Sequence, residues 1–261
     1  MEQELQIATT AAREAGAALA RIFHTQDFTV TQKSQDRGPL TEADLLSNNI
    51  LTEHLTRAFP NDGLMSEETL DDPSRLKKSR VWIIDPLDGT REFTLGIPEF
   101  VVSIGLVVDG EAKLGVLYNP IREELFAGVV GKGCTLNGVQ VHATSHSAVQ
   151  GGRFLVSRSE HKKGWFQPWE QEAEMTPMGS VAYKLGLVAA GKAEATFTPK
   201  PRNEWDLCGG VACILAAGGL ASDGSGTPYR FNRPDPLHIG VCGTNGALHP
   251  QVLKMMTKAG S

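Results

Sequence analysis

The chain has 261 residues, of which 41% are hydrophobic and 21% are charged, and its formal net charge is -5. This length allows one large domain or two small ones, and the negative charge argues against a broad nucleic-acid-binding face. The sequence has no apolar run of about 18 residues, which excludes a transmembrane helix.

Two helices are predicted in the N-terminal part of the chain. Apolar residues recur every three or four positions over residues 2–23, which predicts an amphipathic helix. A second helix is predicted over residues 42–59, with Thr41 as its N-cap and Asp44 in the place of the capping-box carboxylate. Between them, Thr29–Leu40 predicts a short strand followed by a polar loop.

A series of β-strands is predicted after the second helix. An Asp-Gly pair between two apolar runs is a strong hairpin signal, and Asn137-Gly138 supplies another turn. The segment Pro86–Gly89 is typical of a turn after a buried strand. The predicted strands are Gly63–Ser66, Val81–Ile84, Val101–Val108, Ala112–Tyr118 and Leu125–Val130.

From about residue 150 onward, strands and helices alternate. An antiparallel α+β part followed by an α/β part fits this order. Because no repeat or linker separates them, residues 1–149 and 150–261 are expected to be subdomains of a single catalytic unit. The predicted elements are a strand at Arg153–Ser157, helices at Ser180–Ala190 and Trp205–Ala217, a strand at Leu237–Cys242 and a helix at Ala247–Lys258.

Carboxylates stand at the ends of the predicted elements. Asp85 and Asp88 follow a fully apolar strand and can face one small, hard cation. Behind them, Gly89 and Thr90 can expose backbone N–H groups at a helix start, where an anion binds. Oxygen ligands from separate loops suit Mg²⁺, and a divalent cation beside a phosphate is the minimum for phosphate ester hydrolysis. Further carboxylates at element ends are Asp44, Glu67, Glu68 and Asp206.

Several of these carboxylates have a simpler explanation when each is taken alone. Asp44 fits a helix-capping carboxylate, and Asp206 fits an ordinary acidic residue in the first turn of a helix. Glu68 fits a solvated side chain. Asp85 and Asp88 are harder to explain in this way, and the conjunction of the whole set favours a metal site.

The expected compartment is the cytoplasm. The acidic start Met1–Glu4 lacks the positive and apolar regions of a secretory signal. The four cysteines form no C-x-x-C pair, which favours reduced thiols in the core over a zinc site or a disulfide.

Four motifs together resemble the inositol monophosphatase family, the lithium-sensitive, magnesium-dependent phosphatases. They are Gly38–Asp44, Ser66–Glu68, Asp85–Thr90, and Trp205-Asp206 ahead of a helix of small residues that ends at Gly218-Gly219. They occur in the family's order, and the similarity extends over most of the chain. The resemblance implies a layered αβαβα sandwich, often a homodimer, that acts on a small phosphorylated substrate. The net charge and the lack of an apolar span predict no nucleic-acid or membrane partner.

The resemblance also implies two or three Mg²⁺ ions per site. Glu67, Asp85 and the Leu87 carbonyl would hold the first ion. Asp85, Asp88 and Asp206 would hold the second. A third, weaker ion would bind near Glu67 through water.

The family's catalytic roles are carried over by position. Gly89 and Thr90 would offer backbone N–H groups to the phosphate. Thr90, oriented by Asp44, would help to position the attacking water, which the first metal beside Glu67 activates.

The substrate is less well defined by the sequence. In inositol phosphatases a glutamate contacts the sugar-like ring, and the corresponding position here is Pro199. Lys184 matches a lysine of the bisphosphate nucleotidase branch that faces substrate phosphate, and Lys200 and Arg202 lie near the expected entrance. A second phosphate would explain these cations. We therefore expect a 3'(2'),5'-bisphosphate nucleotidase that acts on 3'-phosphoadenosine 5'-phosphate.

Other interpretations stay open. Val102–Gly105 and Gly179–Gly191 are similar to inositol phosphatases, so inositol 1-phosphate or another sugar or histidinol phosphate is the main alternative. The three cations Lys184, Lys200 and Arg202 can equally be solvated surface charges. A non-catalytic, metal-binding regulator is the more remote alternative.

Overall fold

The computed structural model describes residues 1–32 and 39–259. Most of the polar loop predicted before Leu40, including Gly38 of the first motif, lies outside these residues. The helices are α1 (Glu2–Thr25), α2 (Glu42–Ala58), α3 (Thr90–Thr94), α4 (Arg158–Lys162), α5 (Val181–Ala189), α6 (Glu204–Ala216) and α7 (His249–Met256). Short 3₁₀ helices are found at Pro73–Lys77 and Gln167–Trp169.

The first half of the chain forms a seven-stranded sheet after an antiparallel ribbon of β1 (Val30–Gln32) and β2 (Pro39–Thr41). The sheet follows the chain order: the first two strands pair parallel and each later strand pairs antiparallel with the one before it. Its strands are β3 (Gly63–Ser66), β4 (Arg80–Asp88), β5 (Val101–Val108), β6 (Glu111–Asn119), β7 (Glu124–Val129), β8 (Gly133–Leu136) and β9 (Val139–Val141).

Two of the turns in this sheet have the backbone that their residues favour. Asp109 and Gly110 have φ values of 51° and 80°, and Asn137 and Gly138 have φ values of 51° and 80°. Positive φ at both central positions matches the twist of a two-residue hairpin, and Asp, Asn and Gly tolerate it best. The predicted hairpin between β5 and β6 and the predicted turn between β8 and β9 are confirmed.

The second half of the chain forms a five-stranded sheet in the order β11-β10-β12-β16-β14 and a two-stranded ribbon of β13 and β15. The prediction of one strand at Leu237–Cys242 is wrong. Gly240, with a φ of 79°, separates β15 from β16, and the two strands join different sheets. The strands are β10 (Arg153–Ser157), β11 (Glu174–Met178), β12 (Ala195–Thr198), β13 (Arg202–Asn203), β14 (Leu220–Ser222), β15 (Leu237–His238) and β16 (Val241–Thr244).

Helices cover both sheets and form the layers of the fold. α1 and α2 pack on one face of the seven-stranded sheet, where Ala8, Ala12 and Leu19 share a core with Ile84 and Val116. α5 and α6 fill the space between the two sheets, and α7 covers the outer face of the second. The predicted αβαβα sandwich is confirmed. The division into subdomains at residue 150 stays a prediction.

Two features predicted from composition concern membrane spans and cysteines. Across residues 1–32 and 39–259, no helix has the length and apolar character needed to cross a bilayer. Cys134, Cys208, Cys213 and Cys242 are all buried, as predicted for thiols of the core.

His238 on β15 should make the protein sensitive to acid. The imidazole is buried, its Nε2 has no hydrogen-bond partner among the described residues, and Nδ1 lies 3.3 Å from Nη1 of Arg233. Burial, with Arg233, lowers the pKa of His238 to about 4. Glu204 lies 3.9 Å away, but burial raises its pKa to about 7, so it offers no charge in acid.

The direction of this pH dependence follows from the linkage between protonation and folding. Unfolded His238 takes up a proton near pH 6.5 and the folded form does so near 4, so this stabilising contribution is complete above about 6.5 and is lost as the pH falls toward 4. The free energy of unfolding should fall when the pH is lowered from 7 to 5. We expect this fall to be about 1 to 2 kcal/mol smaller in His238→Gln than in wild type. Urea unfolding at both pH values measures this difference, and substitution of an exposed histidine on α1, His24→Gln, is the control. Equal losses in wild type and His238→Gln would contradict it.

Candidate active site

The two aspartates of β4 come together because the strand contains an extra residue. Asp85 pairs with Ser103 of β5 and Asp88 pairs with Val101, so an advance of three residues on β4 opposes two on β5. In a regular strand, side chains three residues apart point to opposite faces, and the bulge cancels this alternation. Both carboxylates are buried at the end of β4.

The strand ends four residues later than the predicted end at Ile84. β4 continues through Asp88, so the predicted turn at Pro86–Gly89 is wrong in its extent, because the bulge keeps the strand paired with β5. The turn falls at Gly89, which has a φ of 105° and caps α3. A Cβ at this position would lie 2.8 Å from the Glu99 carbonyl oxygen, so both conformation and space require glycine.

Asp206 on α6 completes an acidic cluster with the β4 aspartates. One oxygen from each of Asp85, Asp88 and Asp206 lies within 4.8 Å of the others. Burial, followed by the charges of Asp88 and Glu67, raises the pKa of Asp206 to about 7, and burial raises the pKa of Asp88. Mutual repulsion of this kind is relieved by a cation, and the all-oxygen donor set fits a hard ion such as Mg²⁺. Glu67 borders the same cavity.

The simpler explanations of Asp44 and Asp206 are also correct, because each carboxylate has a second role. Asp206 accepts a hydrogen bond from the Asn203 N–H at 3.0 Å and so caps α6. Asp44 caps α2, since its Oδ2 accepts from the Thr41 N–H at 2.8 Å and from the Thr41 hydroxyl at 2.7 Å. A capping carboxylate has a second oxygen, and capping therefore does not compete with a role in the site.

Thr90 is held by two acceptors in a buried setting. Its hydroxyl lies 2.9 Å from Oδ1 of Asp44 and 3.1 Å from the Leu87 carbonyl oxygen. Asp44 is fully buried, so this arrangement is shielded from bulk water. Because the hydroxyl proton is directed to these acceptors, the lone pairs of Thr90 are left to accept a hydrogen bond from a water molecule.

Asp88 is held by the start of α5, a contact that the sequence analysis missed. Its Oδ2 accepts from the Ser180 hydroxyl and from the Ala182 N–H, both at 2.6 Å. Ser180 is also the N-cap of α5 and accepts from the Tyr183 N–H at 3.0 Å. The position of Ser180 at the predicted start of this helix was a usable signal for a cap, but nothing local indicated its partner on β4.

One cavity of about 930 Å³, a volume suited to a small-molecule ligand, is lined by Glu67, Asp85, Asp88, Thr90 and Asp206. Buried carboxylates occupy one part of its wall, and Lys and Arg side chains occupy another. Glu92 also lines the wall, and burial raises its pKa. The cationic lining residues are Arg91, Arg158, Lys162, Lys163, Lys184 and Arg202. Of these, Lys184 and Arg202 were predicted from the sequence.

The three cations predicted to bind substrate have different surroundings. Arg202 borders the cavity, and its charge acts on Asp88 and Asp206. Lys184 also borders it, but its ammonium donates to three backbone carbonyls, and burial lowers its pKa to about 8. Within residues 1–32 and 39–259, Lys200 is not one of the lining residues, and its ammonium lies 5.4 Å from the centre of the Trp165 ring.

Comparison with known proteins extends the sequence resemblance. The family model described as "Inositol monophosphatase family" matches residues 1–261. A protein named "Nus factor SuhB" from Haemophilus influenzae is 34% identical and the match covers 85% of this chain and 86% of that protein. "Inositol monophosphatase 3" from Solanum lycopersicum is 30% identical over 99% of this chain and 98% of that protein.

Solved structures agree with the sequence matches. An IMPase from Thermotoga maritima has a TM-score of 0.87 at 26% identity, covering 98% of this chain and 97% of its own. An extragenic suppressor protein suhB from Bartonella henselae has a TM-score of 0.86 at 25% identity, covering 98% and 99%. These relatives carry inositol monophosphatase and SuhB names, and they give the predicted nucleotidase branch no support.

Proposed function

Because the chain belongs to the inositol monophosphatase family, a family of phosphatases, we propose that it is a magnesium-dependent phosphomonoester hydrolase. The observation that carries the proposal is the cluster of Asp85, Asp88 and Asp206 on the wall of the cavity that Thr90 also lines. Glu67 and Leu87 border the same space, and the Glu67 carboxylate and the Leu87 carbonyl would join the ligand set. Bound there, Mg²⁺ would acidify a water molecule and offset the charge of the phosphoryl oxygens.

The protein's own groups would supply orientation. Asp44 holds the Thr90 hydroxyl at 2.9 Å, which leaves Thr90 to accept a hydrogen bond from the attacking water and fix its direction. The backbone at Gly89 and Thr90 would donate to the phosphate at the start of α3. Arg202, whose charge acts on Asp88 and Asp206, would stabilise negative charge on the ester.

The first experiment is phosphate release from a small phosphate ester. We expect turnover with Mg²⁺ that is lost on addition of a chelator and restored by excess Mg²⁺. A folded protein that binds Mg²⁺ but hydrolyses no phosphate ester would instead favour the regulator interpretation. The SuhB relatives carry the name Nus factor, which makes this control necessary.

For the substrate we propose a nucleoside bisphosphate such as 3'-phosphoadenosine 5'-phosphate. Exposed Lys162 and Lys163 and half-exposed Arg158 line the cavity in addition to Arg202, which is more positive charge than one phosphate requires. Pro199, at the position of the expected ring-binding glutamate, borders a different cavity with Asp223. The inositol monophosphatase names of relatives at 30% and 31% identity support inositol 1-phosphate as the second candidate.

A double variant distinguishes the two substrates. We expect Lys162→Gln/Lys163→Gln to lower kcat/KM for the bisphosphate about tenfold, the equivalent of about 1.4 kcal/mol, because a second phosphate loses its cations. Turnover of inositol 1-phosphate should change less than about threefold. Lys200→Gln, which removes a lysine outside the cavity lining, is the matched control. Equal losses on both esters, or higher wild-type kcat/KM on the inositol ester, would overturn the bisphosphate assignment.

A further inference from the structure

Lys184 has a buried ammonium group whose donors are all used within the protein. The side chain is 5% exposed. Its Nζ donates to the carbonyl oxygens of Met178 at 3.3 Å, Gly179 at 3.2 Å and Ser180 at 2.8 Å. An ammonium has three N–H donors, so these bonds leave none for a ligand. The group thus acts on the 178–180 turn although it lies in the cavity wall.

The turn held by Lys184 has a backbone that needs support. Ser180 has a φ of 52° and a ψ of 120°, which lies outside the regions that L-residues favour. Such a conformation persists only where the surroundings impose it. Gly179 is constrained as well, because its N–H donates to Oε2 of Glu99 at 2.8 Å and a Cβ would lie 2.2 Å from Cδ of Glu92.

The same turn fixes one carboxylate of the acidic cluster. The Ser180 hydroxyl and the Ala182 N–H both donate to Oδ2 of Asp88. If the turn relaxed, Asp88 would lose both donors and its fixed orientation. A chain of contacts therefore runs from Lys184 through the carbonyls of residues 178–180 to Asp88.

We propose that Lys184 is a positioning residue. Its ammonium holds the 178–180 turn so that Asp88 is oriented toward the cation, and it makes no contact with substrate phosphate. The proposal rests on the proposed function, since it assumes that the acidic cluster binds a divalent metal. It replaces the expectation that this lysine contacts substrate. A lysine that bound substrate phosphate would need a free donor, and each of the three is already directed to a carbonyl.

The test is Mn²⁺ binding without substrate, followed by the electron paramagnetic resonance signal of the free ion. We expect Lys184→Met to raise the Kd for Mn²⁺ at least about tenfold, because three buried carbonyls lose their donor and the turn relaxes. At saturating Mg²⁺, KM for the ester should change less than about twofold while kcat falls. Lys200→Met removes a lysine outside the cavity lining and should leave Kd, KM and kcat unchanged.

Two further variants keep the proposal testable. Lys184→Gln retains an amide donor and should raise the Kd for Mn²⁺ by less than the tenfold expected for Lys184→Met. This variant provides the test if Lys184→Met does not fold. Ser180→Ala removes one donor to Asp88 and should raise Kd in the same direction, with a less than additive effect in combination with Lys184→Met. An unchanged Kd with a KM raised tenfold would overturn the proposal in favour of substrate contact. Wild-type protein that binds no Mn²⁺ would overturn the metal site itself, and with it the proposed function.

Discussion

Asp88→Asn is expected to reduce phosphate release at least about a thousandfold, the equivalent of about 4 kcal/mol of transition-state stabilisation. The substitution replaces a carboxylate of the Asp85, Asp88 and Asp206 cluster with a neutral amide. An amide contributes no negative charge, and its NH₂ group would direct protons toward the cation site. Metal affinity and turnover should therefore fall together.

The fold should tolerate this change. Burial raises the pKa of Asp88, which means that the folded protein disfavours its charge, and a neutral amide removes that cost. In wild type the Ser180 hydroxyl and the Ala182 N–H both donate to Oδ2 of Asp88, and the side-chain carbonyl oxygen of the asparagine can accept the same two hydrogen bonds. Without metal, the variant should unfold at a urea concentration equal to or higher than that of wild type.

Steady-state kinetics and urea unfolding on the same preparations separate the two effects. Asp109→Asn is the matched control, because the same chemical change occurs in an exposed hairpin where the φ of 51° suits asparagine. A folded Asp88→Asn protein with full activity would show that the acidic cluster is not the catalytic metal site.

The acidic set was accessible from sequence because its motifs are local. Asp85 and Asp88 follow an apolar strand, and Asp206 starts a helix, so their positions at element ends could be deduced from hydrophobic pattern alone. That they converge could not be deduced from pattern. It required the family resemblance, because the bulge in β4 and the contact of α6 with the sheet are tertiary features.

The cationic wall of the cavity shows where sequence reasoning ended. Lys162 is the last residue of α4 and Lys163 is its C-cap. This helix has five residues, too few for a clear hydrophobic periodicity. Both lysines reach the cavity because β10, which precedes α4, ends at the cavity wall. Lys184 was placed near the site by its spacing, but the use of its donors depends on the backbone of residues 178–180. A positive φ at a serine such as Ser180 has no sequence signal, since serine seldom adopts it.

The close contact between α6 and the seven-stranded sheet leaves no space for a side chain at Gly115 or Gly209. A Cβ at Gly115 of β6 would lie 2.1 Å from the Gly209 carbonyl oxygen, and a Cβ at Gly209 would lie 2.9 Å from the Ile104 carbonyl oxygen. Backbone therefore meets backbone, and no side-chain rotation can relieve an added methyl group. Because Asp206 lies one turn before Gly209 on α6, this contact also sets the distance of Asp206 from the β4 aspartates.

Gly115→Ala is expected to lower the free energy of unfolding by about 3 kcal/mol, at the upper end for overpacking a core, because α6 must move away from the sheet. The displacement carries Asp206 with it, so the Mg²⁺ concentration required for half-maximal activity should rise in the folded fraction. Gly224→Ala is the matched control: neither position has a positive φ, and the nearest atom to its Cβ lies at 3.2 Å. Urea unfolding and Mg²⁺ titration of both variants test this, and equal stability of the two would mean that α6 is not held against the sheet as described.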